Sequence, residues 1–130
     1  MARLTQAAKR LLEEKNFAFL ATLSKDGSPI VTPTWVGTDG ENVLINVATY
    51  RQKFKNVSRD PRVSVAVVDM KDPYKGVIIR GKVASIVRGK DAEDQDDELS
   101  MKYLGHKHVR KPNTQRAVLK IEPSKIIETD

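Results

Sequence analysis

The chain contains no cysteine, which excludes a disulfide framework, a thiolate metal centre and cysteine-based redox or nucleophilic chemistry. Histidine is almost as scarce, with only two residues, His106 and His108. With both imidazoles confined to one His-Lys-His tripeptide, a nucleophile assembled beside its base is not expected. No Gly-x-Gly-x-x-Gly, phosphate-loop or Gly-x-Ser-x-Gly signature occurs, so the common dinucleotide, nucleotide and hydrolase motifs are missing as well. Apolar runs are only a few residues long, far short of the ~20 that a membrane span requires. Met1-Ala-Arg-Leu-Thr-Gln has no apolar signal core, so a cytoplasmic location without a membrane partner is expected. Aromatic residues make up 5% of the chain and are not arranged as a stacking platform, which argues against single-stranded nucleic acid as the partner.

What remains is a compositionally ordinary globular chain of 130 residues, 39% hydrophobic and 31% charged, suited to a single domain over 1–130. Its net charge of +6 hides an asymmetry. Lys90 to Glu98 carries six acids and one base, so the rest holds 22 bases against 11 acids, a charge of +11. An anionic partner is implied, whether a phosphorylated cofactor, an acidic small molecule or nucleic acid.

Periodicity supplies the elements. Leu4, Ala8, Leu11 and Leu12 recur at helical spacing from about Thr5, and Asn16 suits the helix end. From Phe17 the period becomes two, predicting a strand that ends at the hairpin signal Asp26-Gly27. Ser28 to Val36 reads as a further strand. Pro29 and Pro33 cannot both donate to a ladder, so this strand belongs at an edge or carries a bulge, with backbone groups left for a ligand. Gly37 to Glu41 turns the chain into a strand over Asn42 to Thr49. A short helix to Arg59, closed by Asp60-Pro61, follows. Strands over Arg62 to Asp69 and Lys75 to Val87, the latter bent at Gly81, precede a helix over Lys90 to about Gly105 with an acidic first turn. His106 to Thr114 reads as a mobile basic loop, and Gln115 to Glu122 and Lys125 to Glu128 as two closing strands around Pro123. Six or seven strands with two or three helices make a mainly β antiparallel barrel.

Chemistry concentrates in Thr49 to Arg62. Thr49 and Gln52 have the Thr-x-x-Gln spacing of a capping box, placing a helix start at Thr49 with Arg51 and Lys53 in its first turns. Free backbone N–H groups, the positive dipole end and two cations together form a phosphate cradle, the alternative being a solvated basic helix face. The His-Lys-His tripeptide, beside Lys107, Arg110 and Lys111, makes a poor metal site, and no metal is expected. The acidic run lacks the glycine that a calcium loop needs and reads as a solvated helix face.

Three segments carry a resemblance: Ala21-Thr22-Leu23 with Asp26-Gly27-Ser28-Pro29-Ile30-Val31-Thr32-Pro33-Thr34-Trp35; Lys53-x-x-Asn56-Val57-x-Arg59-Asp60-Pro61-Arg62-Val63-Ser64; and Ile121-Glu122-Pro123-x-Lys125. In this order the chain resembles the flavin-binding split-barrel family, which includes pyridoxamine 5'-phosphate-oxidase-like proteins and their short deazaflavin (coenzyme F420)-dependent members. The resemblance implies a Greek-key split barrel, a homodimer with cofactor sites at the subunit interface, and coenzyme F420 or FMN as cofactor. It places the ring system along Ile30, Val31, Thr32, Pro33, Thr34 and Trp35, with Asn46, Val47, Ala48 and Thr49 lining the site from the next strand. Arg51 and Lys53 would take the phosphate, with Gln52 between them. The implied activity is oxidoreduction of a small organic substrate in which the cofactor carries the chemistry and no side chain is assigned as catalytic. Two readings compete with it: flavin or haem binding without turnover, and a nucleic-acid-binding small barrel driven by the basic excess.

Overall fold

The computed structural model describes residues 2–129. Three helices and seven strands follow in the order α1 (Gln6–Glu13), β1 (Ala18–Leu23), β2 (Pro29–Thr34), β3 (Gly37–Thr38), β4 (Val43–Ala48), α2 (Gln52–Arg59), β5 (Arg62–Val68), β6 (Gly76–Arg88), α3 (Lys90–Leu104) and β7 (Arg116–Thr129). The strands form one antiparallel sheet in the order β2-β1-β5-β6-β7-β4-β3. Consecutive hairpins alternate with two longer returns, β1 lying beside β5 and β4 beside β7, which is the Greek-key split barrel.

The long strands hold the two halves together. The first half of β6 lies between β5 and the end of β7, and the first half of β7 lies between the end of β6 and β4. Their register slips twice, leaving Ser124 and Ala84 without opposite numbers. Pro123, which has no N–H to donate, stands opposite Gly81 at the first slip. The chain thus passes Pro123 within one strand, where two closing strands were expected, because a β-bulge absorbs the missing ladder bond. The turn expected over Gly37 to Glu41 likewise contains the two-residue edge strand β3.

Alternation places Leu20, Ile45, Val65, Val67, Val77, Ile79, Leu119 and Ile121 in a fully buried interior, which Leu4, Ala8, Leu11 and Leu12 of α1 seal. Thr5 caps α1 by accepting from the Ala8 amide, and Asn16 ties down its other end by donating to the Leu11 carbonyl. The residues of β1 are apolar on both sides, a pattern that suits a strand covered on both faces. Here Ala18, Leu20 and Thr22 point inward, while Phe17 and Phe19 keep 41% and 40% of their surface in the open. β2 is an edge strand, one of the two placements its prolines allowed.

A latch joins α3 to α1 and to the link between β2 and β3. Lys102 donates from Nζ to the carbonyls of Leu12 and Val36, both at 2.7 Å, and the Tyr103 hydroxyl donates to the Asn16 carbonyl while accepting from the Val36 amide. Burial pushes the pKa of Lys102 down to about 8, against a smaller opposing pull from Glu13. The unfolded chain therefore holds this proton more tightly, so the group adds stability as pH rises from about 8 towards its ordinary value and withdraws it as pH falls back to 8. Burial raises Tyr103 and opposes this at higher pH. Between pH ~8 and ~9.5, urea midpoints of the wild type should climb relative to those of Lys102→Met, and parallel curves would show that the latch does not titrate there.

Candidate functional site

A cavity of about 740 Å³ opens between β2, β4, the start of α2 and α3, within the usual size range for a cofactor or substrate pocket. It gathers residues distant in sequence: Ile30, Thr32, Pro33, Thr34 and Trp35 from β2 and its end, Asn46, Val47 and Ala48 from β4, and Arg51, Gln52 and Lys53 from the turn into α2. Two of the expected site residues stay outside. Val31 is 60% exposed and projects from β2 away from the lining. Thr49 does not line the cavity and does not cap α2; its amide is bound to the Gln115 carbonyl at 3.0 Å, which keeps it in register with β7.

The helix consequently begins later than the capping-box spacing predicted. Arg51 occupies the N-cap with no side-chain bond to the helix, and Gln52 turns forward to Asn56 instead of back. What aims α2 is the second half of the resemblance motif. Asn56, fully buried, donates to the Thr22 hydroxyl on β1, and Arg59 donates to the Leu23 carbonyl at 2.7 Å. These side chains clamp the helix so that its opening turn faces the cavity.

Electrostatics there are set by three cations. Lys53 is half-buried, and its pKa is lowered first by that burial and then by Arg51 and Arg116. Among the described residues neither Arg51 nor Lys53 has an acidic partner. Arg116 was missed by the sequence reading because it lies more than 60 residues beyond the cradle. It donates from Nε to Asn46 Oδ1 at 2.8 Å, while Asn46 donates in turn to Gln95 and to the Ala92 carbonyl. A ladder partner of Ala48 on β7, Arg116 reaches the cavity only through that pairing.

The acidic run and the basic loop meet on the same wall, which neither reading foresaw. Asp96 is 1% exposed and not part of a solvated face. Its carboxylate lies 2.8 Å from His108 Nδ1, 3.1 Å from Arg110 and 3.4 Å from Arg116. Arg110 also holds Asp97 at 2.9 Å, so the expected loop is a strap tied down onto α3, and Arg110 is already engaged. The Arg116 contact is long and poorly aligned, which leaves Asp96 Oδ1 without a hydrogen-bond donor. The Thr32 hydroxyl, also in the cavity wall, is the other buried polar side-chain atom without a partner among the described residues. Trp35 stacks on Tyr103 at 5.1 Å and 4°, with Tyr103 stacked in turn on Phe17, so its ring forms a rigid end of the lining.

Comparison with known proteins agrees with this architecture. The model of the pyridoxamine 5'-phosphate oxidase family matches residues 4–130. An F420H(2)-dependent biliverdin reductase of Mycobacterium tuberculosis (strain CDC 1551 / Oshkosh) is 27% identical over 128 residues, covering 96% of this chain and 88% of that protein. A solved structure described as an F420 reductase superposes with a TM-score of 0.77 at 29% identity, covering 92% of this chain and 94% of the other. A putative pyridoxamine 5'-phosphate oxidase from Listeria innocua shares the fold, with a TM-score of 0.70 at 21% identity over 92% of both chains. None of the helices in the described residues is long and apolar enough to cross a membrane.

Proposed function

Because the chain belongs to the pyridoxamine 5'-phosphate oxidase family, we propose that it is an oxidoreductase that holds a deazaflavin (coenzyme F420), or else FMN, in the cavity described above. The observation that carries this reading is the half-buried Lys53, grouped with Arg51 and Arg116 and without an acidic partner of its own. Holding a half-buried Lys53 beside Arg116 and the more exposed Arg51 is costly unless an anion joins them, and a cofactor phosphate beside the start of α2 is such an anion. The unpartnered Thr32 hydroxyl offers a hydrogen bond to the polar edge of a ring lying along β2, and Trp35 bounds that ring at its end. When bound, the cofactor supplies hydride transfer to or from a small organic substrate, and the protein supplies orientation and electrostatics. The reductase relatives named for F420 favour the deazaflavin.

Lys53→Ala should weaken cofactor binding by roughly ten- to a hundredfold, since a hydrogen bond to a charged group contributes about 1.5–3 kcal/mol. Thermal stability should hold, because Lys53 leaves no ion-pair partner behind. Fluorescence titration of the wild type and of Lys53→Ala, Arg51→Ala and Arg116→Ala with each cofactor tests both parts. Unchanged affinity in all three variants would move the phosphate site elsewhere, and tighter binding of FMN at physiological ionic strength would exclude the deazaflavin preference.

The reading includes a homodimer. Phe17, Phe19 and Val31 form an open apolar face on β1 and β2, and Phe17, Ile30 and Pro33 border the cavity as well. A second copy of the chain seated there would cover this face and close the cavity's open side. Such obligate interfaces bury more than ~2,000 Å² in total. Light scattering at micromolar concentration should give twice the mass of the chain; a monomer would remove the dimer from the proposal.

A further inference from the structure

One pair of side chains on the cavity wall has no part in the cofactor reading. His108 lines the cavity with its side chain 34% exposed, and its Nδ1 is 2.8 Å from Oδ2 of the buried Asp96. A carboxylate accepts hydrogen bonds only, so this contact makes Nδ1 the donor and leaves Nε2 as the ring's free nitrogen. The ring is fixed from two further directions. It packs edge-on to Trp35 with centroids 6.1 Å apart at 64°, and the Ser100 hydroxyl holds the strap through the His106 carbonyl. Arg110 in turn holds Asp96 through a hydrogen bond to Oδ2 at 3.1 Å.

We propose that His108 is the catalytic acid of the reduction, oriented by Asp96, an inference that rests on the oxidoreductase reading above. Adding a hydride to a C=O or conjugated C=C acceptor forms one C–H bond and drives the π pair onto the far atom, which must then take a proton. The Nε2–H of the imidazolium supplies that proton, the substrate leaves reduced by two electrons and two hydrogens, the bound carrier is oxidised, and the ring regains its proton from water at its exposed edge. Imidazole is the side chain whose ordinary titration near neutrality permits both donation and recovery. The other charged groups around the ring are Asp96 and Asp97 on α3, Arg110 on the strap, Arg116 on β7, and Arg51 and Lys53 at the start of α2. Of these, Lys53 is the one competitor as a donor, and it is assigned to the phosphate.

The test combines a measurement on the free protein with one on turnover. Nitrogen-15 NMR of the free protein, with His106→Gln to assign the two rings, should show neutral His108 protonated at Nδ1; protonation at Nε2 would overturn the assignment. With menadione as the probe acceptor and reduced F420 as donor, His108→Gln should keep the wild-type affinity for F420 and the wild-type KM. Its kcat should fall roughly 10²-fold at pH 6, and the decline of wild-type kcat with rising pH should vanish. Unchanged kcat and pH profile in His108→Gln, or loss of that limb in Lys53→Ala instead, would overturn the proposal while leaving the cofactor reading intact. Failure of the wild type to bind F420 or FMN, or to reduce menadione once loaded, would refute the oxidoreductase reading and take this inference with it.

Discussion

Asp96→Ala is expected to lose about 3 kcal/mol of folding stability, measured as a fall in the urea midpoint at pH 7 with an unchanged slope. The carboxylate is 1% exposed and faces Arg110, Arg116 and the His108 ring, so its removal strands Arg116, whose side chain keeps only 16% exposure, beside Lys53 and Arg51. A buried pair that loses one partner typically costs about 3–5 kcal/mol, and the partial exposure of Arg110 and His108 places this site at the lower end. Asp96→Asn, which keeps the shape and one acceptor, should lie between the two. The strap over residues 105–115 should also loosen, seen as faster amide exchange there than in β6. A variant as stable as the wild type would show that water already screens the cluster.

Gly81→Ala should be at least as damaging. A Cβ built at Gly81 would sit 2.3 Å from the Glu122 carbonyl oxygen and 3.1 Å from its carbon, and both are backbone atoms that no rotamer change can move. Overpacking usually costs about 1–3 kcal/mol, and a clash with the main chain of a neighbouring strand exceeds that range. The site is the register slip at which Pro123 faces Gly81, so relief would require β6 and β7 to separate where both halves of the barrel depend on them. We expect a fall in thermal midpoint of ten degrees or more, at about 4 °C per kcal/mol, where the ranges for smaller and larger domains meet. Gly27→Ala, at an open turn with nothing within 4 Å, serves as the comparison and should show only the strain of its positive φ. Equal losses in the two variants would mean that the close approach at Gly81 relaxes freely.

Much of this arrangement was legible in the order of the residues. Period-two runs bounded by Asp-Gly, Asp-Pro and Gly signals located β1, β2, β4, β5 and β6, because alternation and turn chemistry are local properties of the chain. The two prolines of β2 announced an edge strand or a bulge, since a missing N–H leaves a gap in the ladder, and β2 lies at the edge. The lining along Ile30 to Trp35 and Asn46 to Ala48 came from the family resemblance, Arg51 and Lys53 came also from the basic helix start, and eleven of the thirteen expected positions face the cavity.

Three features were decided only in the tertiary structure. The capping box at Thr49 failed because a backbone bond to Gln115, the residue before β7 and more than 60 positions later, holds Thr49 out of the helix. Arg116 enters the site through its pairing with β4, and sequence carries no local mark of which strand pairs with which. Asp96 looked like one carboxylate among six, yet the helix face that packs against the sheet buries it and draws His108 and Arg110 onto it. The sequence by itself determined the strands, the edge and the cations at the start of α2, because each depends on neighbours within a few residues. The fold alone decided which charges meet, because a buried ion pair depends on two distant segments being brought within about 4 Å, a separation that no local pattern encodes.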